Sequence, residues 1–285
     1  MPSGGHSGMQ NQADFTFIGF PYDEKSSFRR GCALAPAKIR TQFFRRVISE
    51  LTPYQIRLRD TARIQDAGDV VPIGTDIQTL GRLEKKVVEV VAHRSFPLVA
   101  GGDHSTTLPV VRGLSRFYSE INILVFDAHP DLYDEFRGDR LSHACVNARL
   151  LELDIVKKMT IVGVREFAEE ERQVWLKNPD VNVIFAEPVR RRAIPLRFEG
   201  PTYISIDLDV LDPVYAPGVS DWSHQGLAPS RILEMLTLLE APVVGMDVVE
   251  VNPKTDEHDI TALVAAKFLN HVAAKIVSRE RFQVE

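Results

Sequence analysis

Cysteine is nearly absent from this chain: two residues, Cys32 and Cys145, among 285. Two thiols are too few for a disulfide framework, so reduced cysteines in a cytoplasmic protein are expected. Positive charge is not in excess either. Lys and Arg number 34 against 39 Asp and Glu, a net charge of -5. Nucleic acid is therefore not an expected partner, and the isolated run Arg190-Arg191-Arg192 reads as a solvated face. No unbroken apolar stretch approaches the roughly 18 residues of a membrane helix, so no membrane partner is expected. Residues 1–13 are polar, rich in Gly, Ser and Gln, and lack the apolar segment of a signal peptide. They predict a disordered tail. Repeats, linkers and low-complexity inserts are also missing, which leaves a single domain over residues 14–285. With 44% hydrophobic residues the chain has material for an ordinary globular core.

What is present is an alternation of strand and helix. Apolar runs at 15–20, 97–100, 121–126, 160–164, 181–185, 202–206 and 243–248 read as strands. Several are apolar almost throughout, as in a parallel sheet covered on both faces. Between them, 83–93, 168–177, 231–239 and 260–276 carry apolar residues at three- and four-residue spacing. Another helix opens at Pro36-Ala37-Lys38-Ile39, where proline suits the first turn. The pattern predicts a three-layer α/β/α sandwich around a mostly parallel sheet.

Three short acidic segments follow three of those strands. They are Gly101-Gly102-Asp103-His104-Ser105, Asp127-Ala128-His129-Pro130-Asp131 and Ser205-Ile206-Asp207-Leu208-Asp209-Val210-Leu211-Asp212-Pro213. Ligands gather outside the carboxyl ends of strands in open parallel sheets. In extended chain, residues two apart share a side, so Asp207 and Asp209 face one way, as do Asp127, His129 and Asp131. Two imidazoles and closely spaced carboxylates suffice for two divalent ions, and a binuclear site makes hydroxide from water at neutral pH. Singly, each segment also fits a capped loop or turn: Asp103 as a helix cap, Asp212-Pro213 as a turn start. Three in matching positions point to a hydrolase. Four carboxylates around two cations would favour a cationic substrate.

The order Gly-Gly-Asp-His-Ser, Asp-Ala-His-x-Asp, Ser-Ile-Asp-x-Asp-x-Leu-Asp-Pro resembles the ureohydrolases, the arginase and agmatinase family. The likeness extends to Gly19-Phe20-Pro21-Tyr22-Asp23, Ala35-Pro36-Ala37-Lys38-Ile39-Arg40 and Asp247-Val248-Val249-Glu250-Val251-Asn252-Pro253. The resemblance implies an arginase-like fold, a homo-oligomer (trimer or hexamer) and two Mn²⁺ ions. It places His104 and Asp131 on one ion and His129 and Asp209 on the other, with Asp127 and Asp207 bridging. It makes His143, Glu250 and Asp131 catalytic: Glu250 holds the substrate guanidinium and His143 shuttles protons. The implied reaction is cleavage of a guanidino C–N bond to urea and an amine.

Within that family, Asp131 to Gly138 resembles agmatinases more than arginases, because it lacks the Asn, Thr and Ser residues that grip an α-amino acid. Agmatine, converted to putrescine in polyamine biosynthesis, is thus the expected small cationic guanidino substrate. Asp134 and Glu135 are expected to contribute negative charge to its binding. Ser220 to Gly226 departs from the agmatinase pattern, and Trp222 and His224 are expected to shape the entrance. Guanidinobutyrate, formimidoylglutamate and arginine remain alternative substrates. A non-catalytic metal-binding homologue is the remaining reading.

Overall fold

The computed structural model describes residues 14–282; the tail expected over 1–13 lies outside them. In chain order the elements are β1 (Phe15–Gly19), α1 (Ala35–Ser49), α2 (Leu58–Thr61), β2 (Ile64–Asp69), α3 (Asp76–Ala92), β3 (Phe96–Ala100), α4 (Thr107–Leu114), β4 (Ile121–Phe126), α5 (Val146–Leu151), β5 (Val156–Val164), α6 (Glu169–Lys177), β6 (Val181–Phe185), α7 (Ala186–Arg191), β7 (Thr202–Asp207), α8 (Pro229–Leu238), β8 (Val243–Val249) and α9 (Ile260–Phe282).

The eight strands form one sheet in the order β2-β1-β3-β8-β7-β4-β5-β6, and every pairing is parallel. Alternate side chains feed two cores. Phe15, Phe17, Leu98, Leu124, Phe126, Ile204 and Met246 pack beneath α1, α2, α7, α8 and α9. Ile18, Val99, Ile123, Val125 and Tyr203 pack beneath α3, α4, α5 and α6. The period of two along each strand thus builds the three layers.

The edge strand β2 was not anticipated. Its sequence Ile-Gln-Asp-Ala-Gly-Asp is polar and largely exposed, so it carries no burial signal and is recruited by pairing with β1. Helix α3 begins seven residues before the expected start, at Asp76, because Thr75 and Gln78 form a capping box. The 257–279 segment also differs from expectation: it is long and apolar enough to cross a membrane by length and composition. Most of that window is buried, and α9 packs on α1, α8 and β8.

The sheet order creates the site. Strands β3 and β4 are consecutive in sequence but separated in the sheet by β8 and β7. Ladder pairs Ala100↔Val248, Ile206↔Val248 and Phe126↔Ile206 bring the carboxyl ends of all four strands level. The chain then leaves each strand into a shared crevice at the point where the connections diverge.

Candidate metal centre and active site

The three acidic segments meet in that crevice. Gly102 lets the chain turn after β3: a Cβ there would lie 1.8 Å from the Tyr22 carbonyl oxygen. That same carbonyl accepts the Asp103 N–H at 3.0 Å. Asp103 then caps the short turn 104–106 by accepting the Ser105 N–H, which aims His104 into the crevice. Asp127, one residue past β4, is fully buried, and Asp207 ends β7. Asp131 holds φ +50°, a left-handed conformation uncommon for a residue with a side chain.

Two groups of ligand atoms form around a shared carboxylate. His104, Asp127 and Asp207 make one group, and Asp127, His129 and Asp209 the other, each with its ligand atoms within 4.8 Å of one another. His104 Nδ1 lies 3.1 Å from Asp127 Oδ2, 3.0 Å from Asp131 Oδ2 and 3.3 Å from Asp207 Oδ2. His129 Nδ1 lies 3.0 Å from Asp209 Oδ2 and 3.6 Å from Asp127 Oδ1. Asp127 Oδ2 is buried without a hydrogen-bond partner. Three carboxylate oxygens around one ring nitrogen cannot share a single N–H, so the donor set and the orphaned oxygen both fit a divalent cation.

Behind His104 stands a buried polar relay that sequence inspection missed. His104 Nε2 lies 3.0 Å from Ser205 Oγ, and Ser205 Oγ donates to Asp247 Oδ1 at 2.6 Å. Tyr203 and Thr107 hydroxyls donate to Asp247 Oδ2 at 2.6 and 2.9 Å. With its hydrogen directed at Asp247, Ser205 Oγ accepts from Nε2–H, leaving the Nδ1 lone pair turned toward the carboxylates. The alternation Tyr203, Ser205, Asp207 along β7 was the available signal.

Burial and neighbouring charges act together on the ionisable groups of the crevice. Burial and the neighbouring Asp209 and Asp127 push the Asp207 carboxyl well above its usual range. Burial opposes protonation of His104, yet Asp127, Asp131 and Asp207 together raise its proton affinity. Burial would also raise Asp209, but the His129 charge and hydrogen bond hold it below the carboxylate norm. Concentrated negative charge under low dielectric is relieved by cations.

Glu250 follows β8 with φ +61° and faces the same cavity. Its Oε1 accepts the His104 N–H at 2.9 Å, and His143 Nδ1 lies 2.9 Å away. Its Oε2 accepts only the weak Cys32 S–H at 3.4 Å. Burial would raise the Glu250 carboxyl, but His143 and the His104 amide bring it below the usual range. Conversely, burial disfavours charge on His143, while Glu250 lifts it to about 9.

The cavity encloses about 260 Å³. It is lined by metal-group residues His129, Asp131, Asp207 and Asp209, and by His143 and Glu250. Its outer wall combines Phe28, Tyr133, Phe136 and Phe167 with Glu166, Glu171 and Asp221. Lysine and arginine are absent from these lining residues. His129 holds Glu166 ionised, down to about 2, whereas burial pushes Glu171 up to about 7.

The four residues expected to recognise the substrate tail do not line this cavity. Asp134 has a side chain 75% exposed and pairs with Arg140 at 2.6 Å and Arg149 at 2.7 Å. Those arginines draw it out of the crevice. Glu135 is exposed beside it. Trp222 donates its indole N–H to the Pro217 carbonyl, and the Arg29 guanidinium stacks on its ring at 4.4 Å. His224 is exposed and contributes its backbone carbonyl to Arg165 Nε. Arg165 also donates to the carbonyls of Asp209, Val210 and Ser223, so it ties the Ser220–Gly226 loop to the loop after β7. From that loop, Ser220 and Asp221 reach the cavity instead.

A sequence profile of the Arginase family matches residues 13–274. The mitochondrial arginase of Medicago truncatula is 38% identical over 280 residues, spanning 93% of this chain and 82% of the relative. The solved structure of an arginase from Medicago truncatula superposes with a TM-score of 0.85 at 37% identity, over 93% of this chain and 88% of that one. An agmatinase of Bacillus anthracis is 30% identical over 269 residues, spanning 92% of this chain and 91% of the relative. The plant arginase thus shares more sequence with this chain than the bacterial agmatinase does, against the expected leaning toward agmatinases. Profile, sheet and crevice agree, and the chain belongs to the arginase family, whose members hydrolyse guanidino C–N bonds.

Proposed function

We propose that this protein releases urea from a small guanidino substrate at a pair of manganese ions, with a decarboxylated amine such as agmatine preferred. The observation that carries the reading is the pair of imidazole–carboxylate groups sharing Asp127, whose buried Oδ2 has no hydrogen-bond partner. His104 and Asp131 would hold one ion and His129 and Asp209 the other, with Asp127 and Asp207 between them. Such ions, when bound, lower the pKa of water and offset the charge that develops as it attacks.

The chain's own residues do the rest. Glu250 Oε1 already takes its donors from His104 and His143, whereas Oε2 has only the weak Cys32 thiol. Oε2 therefore keeps a lone pair for a guanidinium N–H. A charge-assisted hydrogen bond of this type contributes roughly 1.5–3 kcal/mol. The aromatic side chains of the wall offer apolar surface to the methylene chain of a substrate, and His143 holds a proton beside Glu250. Glu166 and Asp221 supply carboxylates to the lining, which holds no lysine or arginine, and this supports a tail bearing an amine and no carboxylate. Arginine is the second reading, favoured by the identity with the Medicago enzyme.

The test is urea release from the Mn²⁺-loaded protein over agmatine, guanidinobutyrate, arginine and formimidoylglutamate, the last also followed as formamide. Agmatine should give the highest kcat/KM. A clear preference for arginine would transfer the assignment to the second reading, and no turnover of any would overturn both.

A further inference from the structure

His143 turns neither ring nitrogen freely into the cavity. Nδ1 lies 2.9 Å from Glu250 Oε1. Nε2 accepts the Ser27 backbone N–H at 3.0 Å and lies 2.8 Å from Ser27 Oγ. A backbone amide only donates, so in the base form of the ring Nε2 carries the lone pair and the proton sits on Nδ1 toward Glu250, whose charge helps the ring take a second proton. A proton reaching or leaving Nε2 meets the Ser27 hydroxyl.

That hydroxyl is well placed to pass it on. Ser27 lines the cavity beside His143, Asp207 and Glu250. Its backbone is held on both sides: Arg137 Nη1 donates to the Ser27 carbonyl at 2.8 Å, and the amide is fixed on His143. Two residues earlier, the Lys25 amide donates to Asp103 at 2.9 Å, and Lys25 Nζ pairs with Asp139 at 2.8 Å. The loop that carries Ser27 is thus anchored to the segment before His104 and to the segment before His143.

We propose that Ser27 Oγ is the proton relay between His143 and the leaving nitrogen, a role that rests on the hydrolytic reading above. The attacking water gives up one proton, which passes through the Ser27 hydroxyl to His143 Nε2. As the C–N bond breaks, its electron pair stays on the leaving nitrogen. Ser27 Oγ–H gives its proton to that pair, and Oγ takes the proton from His143 Nε2–H. The ring returns to neutral, the hydroxyl is regenerated, and one proton has moved from water to amine; the water's second proton leaves the urea oxygen for solvent, from which the free amine takes up one in exchange. While Nε2 is protonated, the Ser27 amide faces it donor to donor, which favours handing the proton on. Hydroxyls carry one donor and two acceptor sites, as this exchange requires.

The experiment compares intact protein with Ser27→Ala, Ser27→Gly and Ser27→Thr, all Mn²⁺-loaded, by urea release, metal content and solvent isotope effect. General acid catalysis contributes about 10²–10⁴-fold, and water partly replaces a lost relay, so kcat should fall about 10–100-fold in Ser27→Ala and Ser27→Gly. KM and metal content should stay within about twofold of the intact protein. Ser27→Thr should recover most of kcat, and the isotope effect on kcat should rise in Ser27→Ala as proton transfer becomes limiting. Unchanged kcat, a change in KM alone, or a kcat loss with neither a raised isotope effect nor rescue by threonine would overturn the relay. Turnover by the intact protein separates this failure from that of the parent reading, since no turnover of any guanidino or formimino compound removes both.

Discussion

Replacing Ser205 by alanine should weaken one metal-holding group and leave the other nearly untouched. Ser205 Oγ sits 3.0 Å from His104 Nε2 and 2.6 Å from Asp247 Oδ1, in a fully buried setting. Without it, His104 Nε2–H is stranded beside a carboxylate that already binds the Tyr203 and Thr107 hydroxyls. Leaving a buried donor unsatisfied costs about 1–3 kcal/mol. Removing the outer partner of a ligand histidine typically weakens metal affinity about 10–100-fold, or about 1.4–2.8 kcal/mol at 1.4 kcal/mol per tenfold. The two estimates agree, so the Mn²⁺ Kd of the His104 group should rise at least about tenfold. No hydrogen bond joins Ser205 to His129 or Asp209 among the described residues, so that group should change little. Chelator-competition titration resolves the two sites, and Ser205→Thr should restore the first. Two unchanged Kd values, or equal weakening at both sites, would refute the tautomer argument.

Glu250→Gln should raise KM at least about tenfold, from the loss of a charge-assisted hydrogen bond, while metal content stays at the intact level; metal loss would place Glu250 among the ligands. Gly102→Ala should destabilise the fold and lower metal content together, since its Cβ would lie 1.8 Å from the Tyr22 carbonyl oxygen; an unchanged denaturation midpoint would contradict the close approach. His271 gives a pH test away from the crevice. Burial, then the Lys275 and Lys267 charges, lower it from 6.5 to about 4, with Tyr54 and Thr237 hydroxyls each 3.1 Å from Nε2. The unfolded chain therefore binds this proton more readily, so its contribution is fully present above pH 6.5 and is lost as pH falls toward 4. The difference is worth about 3 kcal/mol. Denaturant unfolding between pH 7 and pH 4 should be less pH-dependent in His271→Gln; an equal slope would exclude His271 as its source.

Much of the architecture was written in the sequence because burial is. Strand β4, Ile-Asn-Ile-Leu-Val-Phe, is buried at every position, so it shows as an apolar run wherever it lies in the sheet. Asp127 follows it directly, and Asp207 closes β7 in the same way, so composition and strand ends alone located the acidic crevice. Edge strand β2 buries little and left no such trace. Helix α4, Thr-Leu-Pro-Val-Val-Arg-Gly-Leu, is buried at every position but Arg112 and only eight residues long, too short for its period to stand out from an apolar run.

The substrate wall was decided by tertiary structure. Phe28, Tyr133, Glu166 and Asp221 come from separate loops and Glu171 from the first turn of α6, and the sheet order with β7 and β8 between β3 and β4 brings them to one cavity. Nearness in sequence misled at Asp134, three residues from Asp131: the chain turns at Asp131 with φ +50°, and Arg140 and Arg149 capture the next carboxylate outside. It misled again at Trp222, which stacks on Arg29, while its neighbour Asp221 reaches the cavity. Residue type and strand position determine which groups are able to bind a cation. In irregular loops no fixed period sets side-chain direction, so the partners supplied by distant segments choose which groups face the substrate.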